Sequence, residues 1–127
     1  MKYLLDTHAI IWYFEDSQKL PQEITELIDT PKTIKCISAV SLWEIAIKMN
    51  LGKLDLKFSF DELLNRIYEA DCENLQIENA HLKTLLGLPD IHKDPFDRLL
   101  IASAIVGNLT IITADESIHK YDVRWIW

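Results

Sequence analysis

Short continuous apolar runs alternate with stretches of helical apolar spacing from one end of the chain to the other. Lys2 to Leu5 is a brief strand-like run closed by Asp6. A helical run from His8 to Phe14 follows, with Thr7 at its cap position. Pro21 to Ile28 places Ile24, Leu27 and Ile28 on one face and Gln22, Glu23 and Glu26 on the other. Thr30, Pro31 and Lys32 break that helix, and Ile34 to Ile37 returns to strand character. Ser38 then caps a helix predicted to run to about Asn50, with Gly52 as its stop and Glu44 in its second turn.

Phe60 to Ala70 repeats the amphipathic pattern with Leu63, Leu64 and Ile67, Asn74 to Ile77 is a short third strand, and Asn79 to Leu86 a short helix. The loop from Gly87 to His92, which contains Pro89, leads into a helix from Asp94 to about Val106. Asp94 fits its N-cap and Pro95 the first helical position, where a missing N–H costs nothing. Leu99, Leu100, Ala102, Ser103 and Val106 recur at helical spacing, and Ile101 and Ile105 make the helix apolar nearly all round, so it is predicted to be buried. Asp97 lies in its first turn, at the positive dipole end. Gly107 and Asn108 turn the chain into Leu109 to Thr113, the clearest strand. Asp115 caps a short helix, and Val123 to Trp127 is the last strand.

Strands alternating with helices imply an α/β fold of three layers, α/β/α, around a central parallel sheet of four to five strands. A 14-residue helix spans about 21 Å and a five-residue strand about 17 Å, so each helix crosses the sheet once. With 127 residues and no internal repeat or linker, a single domain over residues 1–127 is expected. In such a sheet strands end, and crossover helices begin, at one edge. That edge collects acids: Asp6 ends the first strand, Glu44 and Asp97 lie early in crossover helices, and Asp115 follows the fourth strand. Ligands of open parallel sheets bind at this edge, where strand order reverses.

Each acid has a plain structural role. Asp6 can terminate a strand, Asp97 can complete a cap with Asp94, Asp115 can cap a helix, and Glu44 can pair with Lys48 one turn on. Their convergence changes the balance, because carboxylates about 5 Å apart repel by ~3 kcal/mol per pair at an effective dielectric of 20. Such a group needs a counter-charge, and all-oxygen donors suit Mg²⁺ or Mn²⁺ rather than zinc. His8 and His92 stand near the edge in sequence and are expected to support rather than ligate; His81 and His119 read as surface helix residues. Carboxylate-held Mg²⁺ serves phosphate chemistry without a nucleophilic side chain.

Composition narrows the alternatives. The chain is 49% hydrophobic and 26% charged, which excludes a disordered or low-complexity class. No apolar run approaches the ~20 residues of a membrane span, so no membrane association is expected. Cys36 and Cys72 lack metal spacing, and a buried free thiol at Cys36 points to the cytoplasm. There is no phosphate-binding Gly-rich motif, and Ser38, Ser41 and Thr7 sit at cap positions with no catalytic partner nearby in sequence. The formal charge of −7 counts against holding a polyanion by Coulomb attraction alone, and counts less if the acids bind cations.

Four segments together resemble the successive motifs of PIN-domain proteins of the VapC toxin type: LLDTHAIIWYF from Leu4, SAVSLWEIAIK from Ser38, HKDPFDRLLIASA from His92 and TIITADESI from Thr110. The resemblance covers essentially the whole chain, in order and spacing. It implies a metal-dependent endoribonuclease, the toxin of a type II toxin–antitoxin pair, with Asp6, Glu44 and Asp97 as core metal-binding acids and Asp115 as a more variable fourth. It also implies that Thr113 orients the site, that water attacks the RNA phosphate in line, and that the protein forms homodimers silenced by a small antitoxin. Lys48, Lys53, Lys93 and Arg98 are available near the cleft for RNA, with Arg98 favoured as a structural ion pair. Trp12, Tyr13, Phe14, Leu42 and Trp43 could form either a partner surface or ordinary core. The alternatives are a PIN-type nuclease of RNA processing and a non-catalytic PIN-like interaction module. An aspartyl phosphatase is disfavoured, because Asp6-Thr7-His8 lacks the second Asp that such enzymes need.

Overall fold

Leu4 and Leu5 are both fully buried, yet successive strand residues face opposite ways, so β1 (Lys2–Leu5) must be covered on both sides. The computed structural model describes all 127 residues, Met1 to Trp127, and shows how. After β1 come α1 (Thr7–Phe14), α2 (Gln22–Asp29), β2 (Ile34–Ser38), α3 (Ala39–Asn50), α4 (Phe60–Glu69), β3 (Glu73–Leu75), α5 (Asn79–Leu86), α6 (Pro95–Gly107), β4 (Thr110–Ile112), α7 (Glu116–His119) and β5 (Trp125–Ile126). The five strands form one sheet, all neighbours parallel, in the order β3-β2-β1-β4-β5.

Leu5, Ile37 and Ile112 on one face of the sheet pack with Ile10, Ile24, Ile45 and Leu63 from α1, α2, α3 and α4. Leu4, Cys36 and Ile111 on the other face pack with Leu100, Ile101 and Ala104 of α6 and with Ile118 and Tyr121. Helix α5 lies along α6. The result is the three-layer α/β/α arrangement. Helix α6 is buried over Leu100 to Ala104, but Ile105 and Val106 in its last turn are exposed, because the sheet and α5 cover one side of it, so it is not buried all round as its apolar girth predicts. No helix is long and apolar enough to cross a membrane.

The chain steps from β1 to β2 and β3 in one direction, then returns past β1 to lay down β4 and β5 on the other side. Strand order therefore reverses between β1 and β4, and the crevice beyond their carboxyl ends is where such sheets bind ligands. The Leu5–Ile112 register and an Asp6 N–H to Ile112 carbonyl bond of 3.1 Å put Asp6 beside the exit of β4.

Several boundaries differ from the sequence pattern, because ladder partners rather than apolar runs end a strand. β3 covers Glu73–Leu75 and not Asn74 to Ile77, β4 omits Leu109 and Thr113, and β5 is only Trp125–Ile126. The α1 cap is Asp6, one residue earlier than expected, which releases the Thr7 hydroxyl for another partner. Asn108 ends α6 in the left-handed region at φ 53°, a conformation that Asn tolerates.

Candidate functional site

Asp6 leaves β1 and opens α1, its carboxylate accepting the Ala9 N–H at 2.7 Å. Its side chain is buried, and burial pushes the carboxyl above the usual range. Hydrogen bonds from the Thr113 hydroxyl and the Ala9 N–H oppose that rise, while the charge of Asp115 adds to it. Asp115 lies where β4 hands over to α7; its Oδ1 accepts the Ser117 N–H at 2.8 Å. Its own N–H donates to the Thr113 Oγ1 at 3.0 Å. Fully buried Thr113 thus touches both acids, which fits the orienting role that the resemblance implies for it.

Glu44 projects from α3 and is 3% exposed. The Thr7 hydroxyl donates to its Oε1 at 2.7 Å, and Lys48 Nζ reaches Oε2 at 2.5 Å. The ion pair anticipated as the bland alternative is therefore present, but around a carboxylate nearly removed from water. The Lys48 ammonium is held charged first by that bond, with Asp94 and Asp97 adding smaller attractions, so all three acids lie within its field.

Asp97 sits one turn into α6, its N–H bonded to the Asp94 cap at 3.0 Å. Its Oδ2 meets His92 Nε2 at 3.1 Å, and His92 Nδ1 lies 2.7 Å from the Tyr121 hydroxyl. The Tyr121 oxygen also accepts from Arg98 Nη1 at 3.0 Å, so one hydroxyl ties the His92 ring to Arg98. Burial pushes the Asp97 carboxyl up to about 7; the His92 bond opposes this, and Asp94, Asp115 and Glu44 reinforce it. Arg98 corrects its predicted ion-pair role: besides Tyr121 it donates to the Pro89, His92 and Leu88 carbonyls and so fastens the loop that carries His92.

The four predicted acids thus come from four different segments and meet at the reversal of strand order. They do not form the tight cluster that even 5 Å spacing implies. As the side chains stand, no three carboxylate, imidazole or thiol groups close around one point. The reason is visible in their partners. Glu44 is drawn to Thr7 and Lys48, Asp97 to His92, and Asp6 and Asp115 to N–H groups of their own helices. Within ion-pair distance the chain sets only Lys48 and His92 against them. Hard oxygen donors, partly desolvated and short of positive charge, fit a divalent cation by donor chemistry.

Other expectations change with the fold. His81 is buried, 3% exposed, because its Nδ1 accepts the Glu78 N–H in a capping box at the start of α5. His119 stacks on Trp125 with ring centroids 3.4 Å apart and bonds the Thr113 carbonyl. Ser41 is not a cap; its hydroxyl is buried without a partner. Phe14 is core, Trp12, Tyr13 and Leu42 pack at its margin, and Trp43 is exposed against the edge of Phe96. Tyr121 is the participant that sequence reading misses: nothing local marks a tyrosine 29 residues from His92 as its partner.

A family model described as the PIN domain matches residues 3–124. Ribonuclease VapC22 of Mycobacterium tuberculosis is 24% identical over 119 residues, 93% of this chain and 90% of that protein. Among solved structures, VapBC2 from Rickettsia felis bound to a DNA fragment from their promoter superposes with a TM-score of 0.75 at 17% identity, covering 99% of this chain and 98% of that one. VapBC-1 from nontypeable Haemophilus influenzae gives 0.66 at 18% identity, covering 99% and 97%. A model match over nearly the whole length, on a sheet whose order brings the acids together, establishes that the chain belongs to the PIN-domain family.

Proposed function

We propose that this chain is an endoribonuclease that hydrolyses RNA phosphodiester bonds with Mg²⁺ or Mn²⁺, and that it is the toxin of a type II toxin–antitoxin pair. Asp6, Glu44, Asp97 and Asp115 would hold the metal. The observation that carries the proposal is that acids from four separate segments gather where strand order reverses, with Asp94, Asp115 and Glu44 all adding to the upward push on the Asp97 carboxyl. When bound there, a divalent ion neutralises phosphate oxygens and eases deprotonation of water.

The chain's own residues do the rest. Thr113 and Ala9 hold the Asp6 carboxylate, Thr7 fixes one oxygen of Glu44, and His92 fixes one oxygen of Asp97. Asp97 Oδ1 and Asp115 Oδ2 would be the oxygens offered to the ion, whereas both oxygens of Glu44 are engaged, by Thr7 and by Lys48. The name of the Mycobacterium relative, a ribonuclease, supports RNA as substrate, and neighbours solved as VapBC support a cognate antitoxin protein as partner. Homodimerisation and a cytoplasmic site of action complete the proposal.

The test incubates the purified protein with single-stranded RNA in Mg²⁺, in Mn²⁺ and in chelator, beside Asp97→Asn and a small phosphate ester. Cleavage of RNA alone, dependent on the metal and at least about 100-fold weaker in the variant, is expected. Expression without a partner should arrest growth, and the variant should not. RNA cleavage and growth arrest undiminished by Asp97→Asn would refute the proposal.

A further inference from the structure

Besides the acids, the cleft has an aromatic wall that the chemistry above does not use. Helix α1 starts at Asp6, and His8 and Trp12, one turn apart, share the face that rises from it. Their ring centroids are 5.5 Å apart at 37°. Trp127 braces Trp12 from another side at 5.8 Å, and Lys19 Nζ stands 5.9 Å from its ring. Asp6, His8, Trp12, Ala114 and Asp115 together line a cavity of about 230 Å³.

An RNA must be gripped here by a chain of net charge −7. Two cations beside the acids are already engaged: Lys48 with Glu44, and Arg98 with three carbonyls and Tyr121. Base stacking on an aromatic ring is a source of affinity that adds to phosphate charge. A duplex hides the faces of its bases, whereas an unpaired base can be splayed onto a ring.

We propose that this cavity is a subsite for one unpaired nucleobase, stacked on Trp12 with His8 at its edge, next to the scissile phosphate that a metal ion at the acids would hold. The inference rests on the nuclease reading and adds which side chains receive a base beside the cut. Trp127 and Lys19 stiffen the wall, so the ring is held in place before the base arrives.

The test locates the cut in a single-stranded RNA, then removes one base at a time by abasic substitution around it. Wild type, Trp12→Ala, Trp12→Phe and His8→Ala are compared in kcat/KM, each checked for fold by its metal-induced thermal shift. One abasic position should cost wild type about ten-fold and cost Trp12→Ala nothing further, with Trp12→Phe close to wild type. Exposed His8 is removable without loss of core, and His8→Ala should blunt the same position in part. Equal sensitivity in all variants, or no sensitive position, overturns the subsite and leaves the nuclease intact. A uniform loss on Trp12→Ala, alike for intact and abasic strands, assigns the wall to structure or a protein partner and also overturns it. If wild type cleaves no RNA, the nuclease reading falls and takes the subsite with it.

Discussion

Lys48 Nζ lies 2.5 Å from Glu44 Oε2, an ammonium on the rim of the cleft bound to a carboxylate with almost no access to water. One turn of α3 thus supplies both an acid of the site and the positive charge that holds it in the absence of any other. Lys48→Met should strand the Glu44 charge with only the Thr7 hydroxyl as partner. Breaking a fully buried pair costs about 3–5 kcal/mol. Lys48 is more than a third exposed, so solvent screening reduces the expected loss to about 1–2 kcal/mol. Melting with and without Mn²⁺ checks it: the variant should be less stable alone and gain more from the metal than wild type does. An equal gain in both would show that Lys48 and the ion do not compete for Glu44.

The raised Asp97 carboxyl fixes the sign of a pH effect. Its folded value of about 7 exceeds the unfolded value of about 3.9, so the folded state keeps a proton that the unfolded chain has lost. The stability this group contributes is present below about pH 4 and is lost as the pH rises to about 7. Asp6, shifted in the same direction by burial, adds to the trend. Urea midpoints of the metal-free protein should therefore fall across that window, with a flatter profile in Asp97→Asn. Identical slopes in the two proteins would remove Asp97 as the cause.

With the metal held as proposed, it and the proton would compete for the same oxygens, so divalent ions should stabilise the protein more at about pH 8 than at about pH 5. The shift in melting temperature at fixed Mg²⁺ or Mn²⁺ measures this directly. An Asp6→Asn/Asp97→Asn double variant should show little shift at either pH. A shift as large as that of wild type would place the ion elsewhere.

Tyr121→Phe removes one oxygen that serves both His92 and Arg98. The loss of buried hydrogen bonds predicts about 1–3 kcal/mol less stability. Without Tyr121 the His92 ring is no longer held at Nδ1, and Asp97 loses a positioned partner. RNA cleavage should then fall in kcat more than in KM, which separates positioning from binding. A change confined to KM would mean that Tyr121 acts on the substrate and not through His92.

The core offers a control remote from the cleft. Ile101 is fully buried against the sheet, so Ile101→Ala should cost about 2–5 kcal/mol. Leu86→Ala, at a side chain 89% exposed, should stay within about 0.5 kcal/mol in chemical denaturation.

Local pattern was enough for the elements themselves. Asp94 and Pro95 announce the start of α6, and strand–helix alternation announces a parallel sheet, because each of these depends on residues a few positions apart; the apolar girth of α6 foretold burial of Leu100 to Ala104 but not the exposure of Ile105 and Val106. It was enough, too, to nominate Asp6, Glu44, Asp97 and Asp115, since the ends of strands and the first two turns of crossover helices must share one edge. Strand order was not legible, and strand order is what seats β4 beside β1 and lets Asp6 and Asp115 feel each other's charge. Nor were the partners of the acids: Thr7 reaches across 37 positions to Glu44, and Tyr121 across 29 to His92. Propensity and capping act along the chain, so sequence alone determined the elements and the residues at their ends. Hydrogen bonding and desolvation act through space, so only the packed tertiary structure decided which charges are quenched and which still lack a counter-ion.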